Sequence, residues 1–250
     1  MHHFFIEPSQ RHDNTILIKG SDVNHMKNVL RMKQGELLEI SDGTGVRYLC
    51  KLAEFEAECV RLDIEDQWKD DVELTSRIYL FQGLPKSDKM ELIIQKAVEL
   101  GAYEVIPVVT KRAVVKLDEK KAAKKTARWN VIAEGAAKQS GRSIIPNVHE
   151  VMTFPEALQF AQKLDVKMIP YEKAEGMESS RKVIGNIAPG QSAGIFIGPE
   201  GGFEEEEIEA AAESGVIPIS LGKRILRTET AGLAVLSILM YHLECGGHNL

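Results

Sequence analysis

The sequence predicts a two-domain α/β protein, and three observations support this prediction. Short segments rich in β-forming residues recur through residues 1–72. Near residue 77 the pattern changes to a strand, a helix and a second strand. Late in the chain, two apolar runs each lead into an unusual loop that contains glycine. Together they predict a small β-barrel at residues 1–72 and an α/β domain with a parallel sheet at residues 73–250.

The N-terminal domain is predicted from its spacing of strands and turns. Residues 22–31 favour a short helix capped by Ser21, and Asp42-Gly43-Thr44-Gly45 is typical of a hairpin turn. Polar, acidic residues 65–73 are predicted to form the linker. From the residues alone, this domain could bind RNA, mediate dimerisation or act as a spacer. Its predicted strands are 4–6, 15–18, 36–40, 47–53 and 58–64.

The second domain opens with a pattern typical of a right-handed parallel unit. Residues 78–82 predict a strand, residues 90–100 an amphipathic helix, and residues 104–109 the next strand. Gly101 fits the position just after a helix. A further helix is predicted at residues 119–139.

Charge is distributed unevenly along the chain. Residues 1–72 carry 9 basic and 14 acidic residues, residues 73–150 carry 14 and 9, and residues 151–250 carry 8 and 14. The net charges of −5, +5 and −6 sum to the total of −6. A basic segment inside an acidic protein indicates a local binding surface for a polyanion, and we expect RNA.

The two late apolar runs indicate the functional site. Residues 194–197 and 216–221 have the length and β-branched content of buried strands. The loops after them are 198–202, with three glycines in five residues, and 222–230. Ligands of parallel sheets bind at the carboxyl ends of the strands, so we expect one site at these two loops.

The helix after the first loop begins Phe203-Glu204-Glu205-Glu206-Glu207. Carboxylates at a helix N-terminus satisfy the field that would otherwise attract a phosphate. The loop also lacks the Lys-Ser/Thr of a P-loop and the spacing of GxGxxG. A neutral or cationic ligand is therefore favoured over a nucleoside phosphate.

The two loop motifs, GPEGGF at 198–203 and LGKRILRTETA at 221–231, resemble the signature of the SPOUT methyltransferases. PKSDKMELIIQKAVELGA at 85–102 and QSGR at 139–142 extend the similarity to the bacterial enzymes that methylate N3 of a uridine in 16S ribosomal RNA. The resemblance implies S-adenosylmethionine as cofactor, a PUA-like N-terminal barrel that helps bind RNA, a deep trefoil knot and a homodimer. This chain departs from the family pattern at Ser87, where glycine is usual, and at Lys138, where glutamate is usual.

Site residues follow from this resemblance and from the strand ends. Arg227 is predicted to stabilise an anion or place a phosphate, and Glu229 is the best candidate base, with a cap residue in the first turn of the last helix as the alternative. The predicted RNA-binding residues are Arg11, Arg31, Lys86, Arg112, Gln139 and Arg142. The predicted cofactor-binding residues are Tyr171, Glu172, Gly198, Pro199, Glu200, Gly201, Leu221, Gly222, Ile225, Leu226 and Arg227.

Other functions remain open at this stage. A related methyltransferase could act on tRNA or on a ribose 2′-oxygen, and a non-catalytic assembly factor could share the fold. We expect no metal ion. The start of the sequence lacks a signal-peptide pattern and no apolar run is long enough to span a membrane, so we expect a cytoplasmic protein.

Overall fold

The structure of the chain is a computed structural model. It describes residues 1–115, 117–174 and 176–245. The chain forms two compact units. The first comprises Met1–Glu73 and Ala137–Ile145, and the second comprises Leu74–Ala136 and Pro146–Leu250.

The first unit is built on a six-stranded sheet in the order β1-β4-β5-β6-β3-β2. Strand β1 pairs with β4 in parallel, and the other neighbours are antiparallel. A short helix, α1 (Ser21–Asn24), continues into a π-helical turn at His25–Val29. The strands are β1 (His2–Phe5), β2 (Arg11–His12), β3 (Thr15–Lys19), β4 (Leu37–Ser41), β5 (Val46–Phe55) and β6 (Cys59–Lys69).

This sheet curls around one core, as a barrel requires. Phe4 on β1 and Ile16 on β3 come from opposite parts of the sheet, yet both belong to one buried cluster with Leu38, Leu52 and Leu62. The inward-facing apolar positions of each strand supply this shared core, which favours a curled sheet over a flat one.

The first unit also holds residues 137–145, which the sequence pattern assigned to the second domain. Arg142 is 5% exposed, and its guanidinium contacts the Glu73 carboxylate at 2.5 Å. Arg47 donates to the Gly141 carbonyl at 2.6 Å. Lys138 Nζ lies 3.2 Å from an Asp22 carboxylate oxygen, which gives this atypical lysine a structural partner. These tertiary contacts join distant parts of the sequence and cannot be seen in local patterns.

The second unit contains a parallel sheet in the order β10-β8-β7-β12-β11-β13, with β9 also paired to β8. Strand β7 is buried along nearly its whole length, as expected for a sheet covered on both faces. The strands are β7 (Arg77–Gly83), β8 (Glu104–Val109), β9 (Asn147–Val148), β10 (Met152–Thr153), β11 (Val166–Pro170), β12 (Ser192–Ile197) and β13 (Ile217–Ile219).

Helices cover both faces of this sheet. Phe81 on β7 stacks on Phe196 of β12 with ring centroids 4.3 Å apart, on the face that also packs Phe154. The opposite face packs Leu80 beneath Gly232. The helices are α2 (Lys89–Glu99), α3 (Glu119–Ser140), α4 (Phe154–Ala161), α5 (Met177–Gly185), α6 (Glu205–Glu213) and α7 (Thr228–Glu244).

The predicted parallel α/β domain and its main elements are confirmed, and three local predictions are wrong. Residues 65–69 extend β6 instead of forming a linker, because they pair with β5. Ser21 is the first residue of α1 and Gly20 is its cap. Strand β13 stops at Ile219, two residues before the predicted end, because the chain turns there into the loop at residues 220–227. The trefoil knot implied by the resemblance stays a prediction.

None of the helices in the described part of the chain combines the length and apolar character needed to cross a lipid bilayer.

Candidate active site

Three neighbouring parallel strands end at one cavity. Strands β12, β11 and β13 end at Ile197, Pro170 and Ile219. The segments that follow them line a cavity of about 950 Å³ in the second unit. A cavity of this size accommodates a cofactor-sized ligand. All eleven residues predicted to bind the cofactor line it, and their binding role stays a prediction.

The loop at residues 198–202, which we call the first loop, is held firmly. A Cβ on Gly83 would lie 2.7 Å from Pro199 Cδ, so the end of β7 packs directly on this loop. The Thr228 hydroxyl donates to the Gly198 carbonyl at 2.5 Å and accepts from Gln82 Nε2 at 2.9 Å. Arg112 donates to the Gly201 carbonyl at 3.0 Å.

The loop at residues 220–227, which we call the second loop, is more open. Ile225 is 89% exposed although it lines the cavity. Lys223, Arg224 and Arg227 are also exposed, and the described structure shows no ion pair or hydrogen bond from their side chains. This loop therefore presents free cations and one apolar side chain at the cavity.

Three of the four glutamates at the start of α6 pair with basic side chains, and the fourth accepts hydrogen bonds from backbone N–H groups. Glu204 lies 2.8 Å from Arg112, and the pKa of Glu204 is lowered chiefly by that hydrogen bond. Glu205 pairs with Lys173 at 2.5 Å, and Glu206 pairs with Lys111. Glu207 is buried, and its carboxylate accepts from the Lys111 and Glu204 N–H groups at 2.9 Å.

Acidity within the cavity instead comes from Glu200 and Glu172. Burial acts to raise the pKa of Glu200, but hydrogen bonds from its own N–H, from Lys89 and from the Lys86 N–H outweigh burial and lower it. Glu200 therefore remains a carboxylate at neutral pH. The basic lining residues are more numerous, namely Lys89, Arg112, Lys173, Lys223, Arg224 and Arg227. The cavity lining therefore carries more basic than acidic side chains in the part of the chain that the structure describes.

Of the two predicted catalytic residues, Arg227 lines the cavity as the cap residue before α7. Glu229 is absent from the described lining, and its Oε2 lies 3.3 Å from Lys89 Nζ. That oxygen is buried and makes no well-aligned hydrogen bond. Glu229 is therefore held by a cation next to the cavity.

The predicted RNA-binding residues are divided between the units. In the second unit, Lys86 is exposed at the end of β7, whereas the Arg112 guanidinium is committed to Glu204 and the first loop. In the first unit, Arg11, Arg31 and Gln139 are exposed. Arg142 is buried and pairs with Glu73, and its predicted contact with RNA stays a prediction.

Sequence reasoning missed Lys89 and Thr228. Lys89 is the first residue of α2, where the helix dipole disfavours a cation. This unfavourable placement was a signal that carboxylates elsewhere would hold the side chain. Thr228 carried no such signal, because its partners Gly198 and Gln82 are distant in sequence.

Comparison with known proteins bears directly on this cavity. A family model described as an RNA methyltransferase domain matches residues 72–240. A model described as an RNA methyltransferase PUA domain matches residues 18–58. The chain belongs to this family of RNA methyltransferases.

Full-length relatives support the same assignment. The chain is 38% identical over 250 residues to ribosomal RNA small subunit methyltransferase E of Bacillus subtilis, covering 98% of each chain. It is similar to the Neisseria gonorrhoeae structure of ribosomal RNA small subunit methyltransferase E bound to S-adenosyl methionine, with 32% identity, a TM-score of 0.84 and coverage of 96% and 97%. A Legionella pneumophila methyltransferase solved with the same cofactor is 30% identical, with a TM-score of 0.85 and 96% coverage of both chains. The family members therefore share both units of this chain.

Proposed function

We propose that this protein uses S-adenosylmethionine to methylate N3 of a uridine in 16S ribosomal RNA within the small ribosomal subunit. One observation carries the proposal. The cavity joins three parallel strand ends through the two loops whose motifs resemble the uridine-N3 enzymes. The similarity to small subunit methyltransferases over almost the whole chain supports the RNA substrate.

The residues present fit S-adenosylmethionine. Ile225, Leu226 and Leu221 offer an apolar surface for an adenine ring, and covering the exposed Ile225 would bury apolar area. The Glu200 carboxylate suits a cation. When bound, the cofactor supplies a methyl group on a positively charged sulfur that leaves easily.

The remaining tasks fall to the chain's own residues. Methylation replaces the N3–H bond of uridine by an N–C bond and releases one proton, so an acceptor for that proton and stabilisation of the uridine anion would both speed the reaction. Arg227 is exposed on the second loop and carries the charge suited to the anion or to an adjoining phosphate. Glu229 is the candidate proton acceptor, held next to Lys89.

Phosphate contacts are assigned to exposed cations. Lys223 and Arg224 on the second loop, Lys86 after β7, and Arg11 and Arg31 in the first unit are the candidates. Neutralising RNA phosphates releases counterions, so binding through these residues should weaken steeply as salt rises.

The test combines binding with identification of the product. Isothermal titration should show S-adenosylmethionine binding to the purified protein. Small subunits from a deletion strain should lack one methylated uridine, which mass spectrometry of 16S RNA should detect, and the purified enzyme should restore it. If the purified enzyme instead methylates a ribose or a tRNA, the proposed uridine-N3 target is wrong. If the protein does not bind the cofactor, a non-catalytic assembly factor is favoured.

A homodimer formed through α7 is part of the proposal, as is a cytoplasmic location with the ribosome. Tyr241 is 56% exposed and Ile238 is 38% exposed, whereas the other large apolar side chains of α7 are buried or half-buried. Light scattering should show a dimer that Tyr241→Glu weakens. Val131→Glu, at a 68% exposed position on α3, should leave the mass unchanged.

A further inference from the structure

Lys89 bridges the first loop and the first turn of α7. Its Nζ lies 3.1 Å from Glu200 Oε1 and 3.3 Å from Glu229 Oε2, and its side chain is 29% exposed. Because α2 begins at Lys89, the helix dipole disfavours the ammonium there. Two carboxylates offset that disadvantage, and the side chain still lines the cavity.

The three side chains form a charged group with more negative than positive charge. Two carboxylates and one ammonium carry a formal charge of −1. The hydrogen bond to Glu200 raises the pKa of Lys89, so the ammonium persists through neutral pH. Glu200 and Lys89 both line the cavity, so a bound ligand would experience the field of this group.

We propose that Lys89 determines how strongly the cavity prefers the charged methyl donor over the uncharged product. This inference rests on the proposed function, because S-adenosylmethionine carries a positive sulfur and S-adenosylhomocysteine carries a neutral one. The two molecules otherwise present the same adenosine and amino-acid groups. Their relative affinity therefore reports the electrostatic field at the sulfur, and Lys89 moderates the attraction exerted by the two carboxylates.

The size of the effect follows from Coulomb's law. A unit charge removed beside a partly solvated cavity changes the relative affinity of a charged and an uncharged ligand by roughly fivefold. General loosening of the site would weaken both ligands together. The ratio of the two affinities thus separates charge from structure.

The experiment measures the dissociation constants of both compounds for the full-length protein by isothermal titration. Lys89→Met should raise the preference for S-adenosylmethionine by about fivefold, and Lys89→Arg, which keeps the charge, should restore the original ratio. Glu200→Gln should shift the preference in the opposite direction. Lys96→Met is the matched control, because Lys96 lies on the same helix and pairs with Glu99 at 2.7 Å but does not line the cavity.

The outcomes are distinct. Equal weakening of both compounds in Lys89→Met, which leaves their ratio unchanged, would overturn the role of Lys89. If Lys89→Met does not fold, Lys89→Gln, which also removes the charge, takes its place in the same comparison. Failure of the unmodified protein to bind either compound would instead overturn the proposed function, and the inference with it.

Discussion

The two loops of the cavity differ sharply in how they are held. The first loop, residues 198–202, is fixed by Gly83, Thr228 and Arg112. The second loop, residues 220–227, presents Ile225 at 89% exposure. A preformed first loop suits a small cofactor of constant shape, whereas an open second loop suits a large substrate that arrives with its own charges. We therefore propose a division in which the first loop contacts only the cofactor, whereas the second loop adds contacts to RNA to its apolar surface for the adenine ring.

Removing the arginine at the end of the second loop should have the largest effect. Arg227→Ala should lower kcat by roughly 100-fold to 1000-fold, because loss of a group that stabilises developing charge has costs of this order. Affinity for S-adenosylmethionine should stay nearly unchanged. Single-turnover methylation of small subunits, together with titration of the cofactor, measures both quantities.

Lys223→Ala is the matched variant on the same loop. We expect a higher KM for RNA and a shallower salt dependence with little change in kcat, since a phosphate contact contributes to binding alone. Unchanged kcat in Arg227→Ala would remove Arg227 from catalysis and abolish the proposed division between the loops.

A side chain at Gly83 should disturb the first loop. The added Cβ of Gly83→Ala would lie 2.7 Å from Pro199 N and Cδ, so the backbone must shift. We expect a loss of about 1–3 kcal/mol in the free energy of unfolding and at least tenfold weaker cofactor binding, estimated from that displacement. Denaturant unfolding and isothermal titration provide the measurements.

Gly135→Ala gives the comparison in an open site. Gly135 sits inside α3, and a Cβ added there would meet no neighbouring side chain or packed segment within 4 Å. Stability should rise by about 0.5–1 kcal/mol, because alanine favours a helix. Cofactor binding as strong in Gly83→Ala as in Gly135→Ala would show that the first loop is not preformed.

Releasing Arg112 should have a smaller effect. Arg112→Met removes the hydrogen bond to the Gly201 carbonyl and the ion pair with Glu204. Because the pair is partly exposed, we expect cofactor affinity to fall only about threefold to tenfold. Titration at low and high salt should show most of the loss at low salt. A larger loss of RNA binding than of cofactor binding would instead support the prediction that Arg112 contacts RNA.

The smallest expected effect is the loss of stability at acid pH that comes from protonation of Glu200 in the first loop. The native pKa of Glu200 lies below its ordinary value of 4.5. Its contribution to stability is therefore present above about pH 4.5 and is lost as pH falls through the lower native pKa. Thermal unfolding across pH 3 to 7 should show a shallower acid decline in Glu200→Gln than in the unmodified protein. Equal declines would mean that Glu200 is not stabilised as a carboxylate by the fold.

The sequence pattern predicted those elements that are determined by residues close together in the chain. The spacing of apolar residues predicted β7 and α2, and the glycine-containing loops after β12 and β13 predicted the position of the cavity. Strand ends and glycine spacing are visible in the sequence itself. The partners of Lys89 and Arg142 could not be predicted, since Glu229 and Glu73 are distant in sequence. The counter-ions of the acidic start of α6 could not be predicted either, because they lie on other segments.

Ser87, which replaces the glycine usual in the family, has a strained backbone conformation. Its φ of +57° lies in the left-handed region, where glycine is comfortable and serine is strained. The family's usual glycine at this position therefore has a conformational explanation. The structure shows why serine is unfavourable here, and among the residues that it describes no hydrogen bond or ion pair from the Ser87 side chain compensates.

The hydroxyl of Thr228 joins three elements through two hydrogen bonds. It connects Gln82 at the end of β7, the first turn of α7 and the Gly198 carbonyl of the first loop. Slower amide deuterium exchange should therefore spread from residues 198–202 to the start of α7 when the cofactor is added. Thr228→Val removes both hydrogen bonds and should confine that protection to residues 198–202. The comparison would show that the Thr228 hydroxyl couples cofactor binding at the first loop to the start of α7.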